Sequence, residues 1–374
     1  MYRIATKMLL GDAAKYSMLV STLAVVSFLI MQQGSLFCGV ILRTARAVDV
    51  IGAPIWVCDP QLRHVEENKP LLDTDLERVR SAPGVKWAVP LIMQFVDVRL
   101  ADGNVQTARL YGLDNTSFFG LPGDLLEGSE DLRQAASVVI GQAESDKLNS
   151  PRPGDTFEIN NAEARVVGIA SVSRDFFAYP FVYTAYDQAL NYLPVRDRQM
   201  NFILAAPREG LTAETVSRNI SAAGGLRAYT EDGIRWLTME YYLAHSGITI
   251  QIGLGVTMSF LAGMMIVGQT FYQFALQNER FLGALKAMGA GKGVLTQMIL
   301  LQSLLVGIVG FGTGSGLLGL FCLAFGGSDS RLALATPWQV MAISLAAVLL
   351  ICLVSALISV QRVARLEPAV VFRG

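Results

Sequence analysis

Four long apolar stretches divide this chain, and they are unevenly spaced. They cover residues 16–42, 246–276, 294–325 and 337–360, and 203 residues separate the first from the second. About 20 apolar residues cross a hydrocarbon core of about 30 Å, so each stretch is long enough to span a membrane as a helix. One span, a large polar region and three more spans make a layout that works on both sides of a bilayer. Apolar residues make up 52% of the 374 and charged residues only 16%; ordinary soluble chains carry about 25% charge.

Charge sets the expected orientation. Region 43–245 holds 20 Lys/Arg against 27 Asp/Glu, whereas the N-terminus, loop 277–293 and the tail after residue 360 hold nine Lys/Arg against Asp12, Glu279 and Glu367. Four spans put those basic segments on one side, and the opposite short loop, 326–336, has only Arg331 as a cation. The positive-inside bias therefore predicts cytoplasmic termini and an outward-facing large domain. The first apolar run is longer than a signal-peptide core and no clean cleavage site follows it, so it is expected to stay as a span. Cys38, Cys322 and Cys352 lie in spans, leaving Cys58 alone in region 43–245 and ruling out a disulfide inside it.

Patterning along the chain predicts the elements. Residues 1–15 suit an interfacial amphipathic helix, a plain tail being the alternative. Strands are expected at 50–58, 85–100 (interrupted by Pro90), 105–113, 156–159, 164–170, 200–206 and 226–229. Helices are expected at 75–81, capped by Asp73 or Thr74, and at 211–223, capped by Thr212, with partial helix in 137–148. Strand–helix–strand order occurs near 50–100 and again near 200–230. The expected architecture is four membrane helices plus an α/β domain at 43–245: an inner βαβ lobe (about 46–100 and 200–231) with an inserted β-rich lobe (about 101–199). No proline lies between Pro207 and Pro337, so one helix could run from about 232 to 276. Trp236, Tyr241, Tyr242 and Trp338 suit a membrane interface, although the first three could equally pack on the lobe.

No catalytic constellation is found. His64 and His245 are the only histidines, no cluster has zinc spacing, and Gly289-Ala290-Gly291-Lys292-Gly293 lacks the spacing and the Ser/Thr of a phosphate-binding loop. The basic-side segments are too short for an ATPase domain, so any ATP and Mg²⁺ belong to another chain. The spans contain no Asp, Glu, Lys or Arg, which argues against an ion or proton path. Gln32, Gln33, Gln251, Gln269, Gln273 and Gln302 read first as interhelical hydrogen-bonding groups. Gly310/Gly314 and Gly312/Gly316 are small-xxx-small pairs, fitting packing within one chain or across a dimer.

Loop 277–293 places Phe281, Leu282, Leu285 and Met288 on one helical face, with Glu279, Arg280 and Lys286 supplying charge. Here the chain resembles the FtsX-like, MacB-type ABC transporter permease family. The family loop pattern E-R-x-x-[GA]-x-L-[RK]-A-[LM]-G is matched at Glu279, Arg280, Gly283, Leu285, Lys286, Ala287, Met288 and Gly289; Phe281 stands where an acidic residue is common. The DevC branch is closer still, on Met31-Gln32-Gln33-Gly34, Trp56-Val57-Cys58-Asp59-Pro60, the run from Asp73 to Arg80, and Gly84 to Pro90. Leu366-Glu367-Pro368-Ala369 resembles the family tail, with Glu for Asp.

The resemblance implies a non-catalytic, homodimeric permease subunit of the bacterial inner membrane, with its large domain in the periplasm. It implies a coupling helix at 279–289 that docks a separate cytoplasmic ATPase, with Leu282, Leu285 and Met288 as apolar anchors, Arg280 and Lys286 as polar partners, and Leu366, Glu367 and Pro368 as a second contact. It further implies a periplasmic adaptor, a TolC-type outer-membrane channel, and export of an envelope lipid, glycolipid, peptide or small molecule. No cofactor in this chain and no nucleic acid is expected. Lipoprotein release, regulation of a cell-wall hydrolase, and a membrane-anchored receptor or enzyme with its site in 43–245 are the alternatives.

Overall fold

The computed structural model describes residues 13–100, 102–194, 198–326 and 332–364. The expected helix at 1–15 therefore lies outside the described residues except for 13–15, and the tail motif at Leu366, Glu367 and Pro368 lies outside altogether. Two compact units emerge: one from residues 1–39, 247–327 and 332–374, the other built on residues 40–246.

The first unit is helical. Its long helices are α1 (Ala13–Thr44), α7 (Gly247–Gln277), α9 (Lys292–Phe325) and α10 (Trp338–Ala364). Within them lie four candidate membrane spans, Tyr16–Thr44, Gly247–Gln277, Gly293–Phe325 and Trp338–Ser359. Leu19, Leu23 and Val26 of α1 meet Val267 and Phe271 of α7, Val306 of α9, and Val348 and Ile351 of α10 in one apolar core. Glycines set how closely the helices approach. A Cβ added at Gly310 would come within 2.5 Å of Leu23 Cβ, and one at Gly314 within 2.7 Å of the Ala24 carbonyl oxygen. Gly312 and Gly316 face open space. Of the two pairs, Gly310/Gly314 therefore serves packing within the chain.

The second unit begins with α2 (Arg46–Ile51). Gly52, at φ +63°, ends this helix by donating its N–H to Val48 O. The expected strand at 50–58 is thus shortened to β1 (Ile55–Cys58), because Gly52 and Pro54 break the apolar run. Next come α3 (Asp73–Arg80) and β2 (Val85–Arg99). The cap of α3 differs from expectation: the Asp75 carboxylate reaches back to the Leu72 N–H at 3.0 Å. Toward the end of the unit, β9 (Phe202–Pro207), α5 (Ala213–Ala222), β10 (Arg227–Thr230) and α6 (Glu231–His245) follow in turn. Thr212 caps α5 by accepting the Thr215 N–H.

These strands lie in the order β10-β1-β9-β2, each antiparallel to its neighbour. With α3 and α5 as crossovers this is a β-α-β-β-α-β split fold. Side-chain alternation separates its two faces. Ile55, Val57, Ile203 and Ala205 pack with Leu76 and Val79 of α3 and Val216 and Ile220 of α5. Trp56, Phe202 and Leu204 face the other way, toward Val48 and Ile51 of α2 and Ile234 of α6.

Strand β2 does not break at Pro90; it runs 15 residues, pairing β9 from Val85 to Leu91 and β3 (Val105–Leu113) from Ile92 onward. The Asn201 N–H bonds Leu91 O, so odd-numbered groups face β9 and the donor-less nitrogen of Pro90 faces the side where β3 has not yet begun. The inserted lobe adds β4 (Leu125–Gly128), β5 (Ser137–Gly141), β6 (Thr156–Ile159), β7 (Ala162–Ala170), β8 (Phe181–Ala185) and α4 (Tyr186–Tyr192). Strands continue as β2-β3-β8-β5-β7-β4, with β6 pairing β2 and β7. Of the helix expected in 137–148 only a 3₁₀ turn, Ser145–Leu148, exists. The single helix expected over 232–276 is two helices, parted at Ser246, which is extended at φ −93° and ψ 139°.

Candidate coupling surface

The loop between the second and third spans folds as α8 (Glu279–Ala287). Asn278 separates it from α7 and donates its side-chain amide to Phe274 O at 2.8 Å. At the other end the helix closes by a Schellman motif. The Gly289 N–H bonds Lys286 O at 3.1 Å and the Ala290 N–H bonds Leu285 O at 3.0 Å. Gly289 has φ +94°, a conformation that costs an L side chain about 1–2 kcal/mol. Its presence is explained by chain reversal. Gly291 then caps α9, so the glycine-rich run 289–293 ends one helix and starts the next.

The face of α8 expected to be uniformly apolar and free is divided. Leu285 is only 9% exposed and sits in a cluster with Ala275, Leu295, Met298, Ile299 and Ala356, so it pins α8 to α7, α9 and α10. Gly283 is buried as well. Met288 is 76% exposed and Phe281 44%. Leu285 is thus withdrawn as a docking anchor, since its surface is already covered within the chain. Glu279, Arg280, Leu282 and Ala287 belong to the helix, and Lys286 is partly exposed on it. Gln32 and Gln33 are partly exposed on α1, and the Gln33 amide is the nearest group to Gly255 of α7.

In the 40–246 unit, polar structure was invisible to sequence reading because it joins distant residues. Asp49 of α2 accepts from Arg235 of α6 at 2.9 Å, and Arg235 also pairs with Glu231 and Asp232. Arg109, 2% exposed, pairs with Glu66 and lies 3.9 Å from Asp175. Burial raises the Asp175 carboxyl above its ordinary range, against the pull of Arg109, and pushes the Tyr111 hydroxyl up to about 12. Burial also lowers His64 below its usual value. Among the described residues no three His, Cys, Asp or Glu side chains converge as a metal site would require.

Two family models divide this chain between them. Residues 21–223 match the MacB-like periplasmic core domain, and residues 234–368 match the FtsX-like permease C-terminal domain. The chain belongs to the FtsX/MacB-type permease family. It is an FtsX/MacB-like ABC transporter permease subunit, a family component that is generally non-catalytic. Among solved structures it is similar to the extracellular domain of the noncanonic ABC-type transporter YknZ from Gram-positive bacteria, at 10% identity and TM-score 0.37, over 48% of this chain and 100% of that one. It is also similar to the periplasmic region of MacB from Actinobacillus actinomycetemcomitans, at 16% identity and TM-score 0.37, over 50% of this chain and 93% of that one. No curated protein matches its sequence.

Proposed function

We propose that this permease subunit is the motion-transmitting, non-catalytic part of a DevC-branch, MacB-type exporter in the inner membrane. Its termini and α8 face the cytoplasm, and its 40–246 unit faces the periplasm. ATP and Mg²⁺ are bound by a separate ATPase chain that docks on α8. Two copies form the membrane part, and an adaptor and a TolC-type channel carry an envelope lipid, glycolipid, peptide or small molecule onward.

The observation that carries this reading is the divided environment of α8. Leu285 holds the helix to three spans while Phe281 and Met288 remain exposed on it. A short helix held at its middle and bare toward its two ends is a part through which an outside push reaches the bundle. The absence of charge from the apolar stretches 16–42, 246–276, 294–325 and 337–360 supports movement of helices over passage of an ion. The exposed pair supplies the apolar docking contact, with Arg280 and Lys286 as polar partners.

The test substitutes Met288→Asp together with Phe281→Asp and leaves Leu285 intact. The expected result is a normally folded permease that no longer retains or stimulates its ATPase. Retention of both by the double variant would overturn the assignment of α8.

A further inference from the structure

The 40–246 unit holds aromatic rings rigidly at its surface. Phe177 is 38% exposed and Phe95 44%. From Phe95 the rings follow one another through Tyr179 (5.0 Å between centroids), Phe177 (6.3 Å), Tyr242 (6.1 Å), Tyr241 (5.6 Å) and His64 (4.4 Å). They come from four separate segments, so no local pattern announces them. The loop that carries Phe177 and Tyr179 is fixed from beneath. Asp175 accepts the Ala178 N–H at 2.6 Å, Ala178 is held at φ +54°, and Arg109 lies between Asp175 and Glu66 with its guanidinium 4.6 Å from the Phe95 ring centroid. Burying charges is costly, yet here buried charges hold phenylalanine in the open. A water-facing ring forfeits the stabilisation that burial gives an aromatic side chain, so the arrangement is explained by a surface that covers it.

Chain connectivity identifies the cover. Tyr242 lies five residues before Gly247, where a candidate membrane span begins, and five residues reach at most about 18 Å. Aromatic side chains with one apolar and one polar end favour the headgroup level of a bilayer. The ring series carries little net charge: Arg63, whose guanidinium lies 5.7 Å from the Tyr241 ring centroid, is paired with Glu67 at 3.2 Å. Burial lowers the His64 pKa and so favours its neutral form.

We propose that this aromatic series is a lipid-contacting surface, a seat on the bilayer's interfacial layer that is built outside the spans and independent of headgroup charge. It rests on the membrane reading of α7 and not on ATPase docking.

The full chain, in phosphatidylcholine nanodiscs with Cys38 and Cys322 replaced by Ala, is spin-labelled singly through Phe177→Cys, Leu126→Cys on β4, or Leu254→Cys on α7. Collision rates with oxygen and with a water-soluble nickel complex are then compared. The expected oxygen-to-nickel ratio at position 177 is several-fold above that at 126 and unchanged by high salt, with 254 higher still. A ratio at 177 equal to that at 126, with 254 still oxygen-rich, overturns the seat and leaves the spans standing. If 254 also equals 126, the membrane reading of α7 fails and takes the seat with it. Low collision rates with both reagents at 177 mean that protein covers the rings, and loss of the effect in salt means that charge drives the contact; each overturns the proposal. Phe95→Cys is read in the same way should the label at 177 disturb folding.

Discussion

The helical unit and the 40–246 unit reach close packing by opposite means. In the first, contact depends on what is missing: Gly310 and Gly314 lack the atoms that would hold α9 away from α1. In the second, contact depends on what is present. Trp56, Phe202, Tyr111 and Tyr183 fill the interior, and buried ion pairs fix the loops around it. The difference follows from the surroundings. Lipid tails are as apolar as leucine, so helices in a bilayer gain chiefly from close approach. In water, burial of large apolar side chains supplies the drive.

The sharpest way to break this contrast is Phe202→Ala. Phe202 is fully buried and meets Trp56 edge-on at 5.3 Å, so a loss of about 3–5 kcal/mol is expected. Denaturant unfolding of the purified chain, followed by fluorescence, measures it. Next in size is Gly314→Leu set against Gly312→Leu. The first drives a side chain into the Ala24 carbonyl and should cost about 1–3 kcal/mol by overpacking; the second meets nothing and should stay within about 0.5 kcal/mol. Thermal unfolding in detergent reads both. Should Gly312→Leu split a dimer while leaving monomer stability intact, the open glycine pair is an intersubunit contact.

Gly289→Ala is expected to cost about 1 kcal/mol through its left-handed backbone. Faster hydrogen exchange in the last turn of α8, with the four long helices unaffected, is the readout. The smallest effect concerns pH. Burial holds the folded pKa of His64 below the ordinary imidazole value of about 6.5, so its contribution is present above that value and is lost as pH falls through the lowered one. His64→Gln should flatten that acid-side decline in melting temperature.

Legibility differed between the units for physical reasons. Apolar runs mark candidate spans directly, and the four expected ranges lie within one or two residues of the helices long and apolar enough to cross a membrane, 16–42 against Tyr16–Thr44 for example. Turn chemistry was equally readable: Asp102-Gly103-Asn104 closes the hairpin between β2 and β3, with Gly103 at φ +85°. By contrast β8, whose five residues are all buried, shows no alternation for a pattern to catch. The length of α8 was readable, but not that Leu285 is covered while Met288 is bare, because helical spacing alone puts both on one side. Arg109, Glu66 and Asp175 meet across gaps that no local rule spans. In the runs around Trp56 and from Asp73 to Arg80, Trp56, Val57, Cys58, Leu76 and Val79 are core residues and Asp75 caps α3, so these positions speak for the fold and are silent about the cargo.

The unbroken course of β2 has a thermodynamic consequence. Its first half is hydrogen-bonded into the split βαβ sheet and its second half into the inserted lobe, so neither sheet can lose this strand without unzipping the other. The 203-residue region, for all its two-lobed layout, should therefore melt in a single cooperative transition.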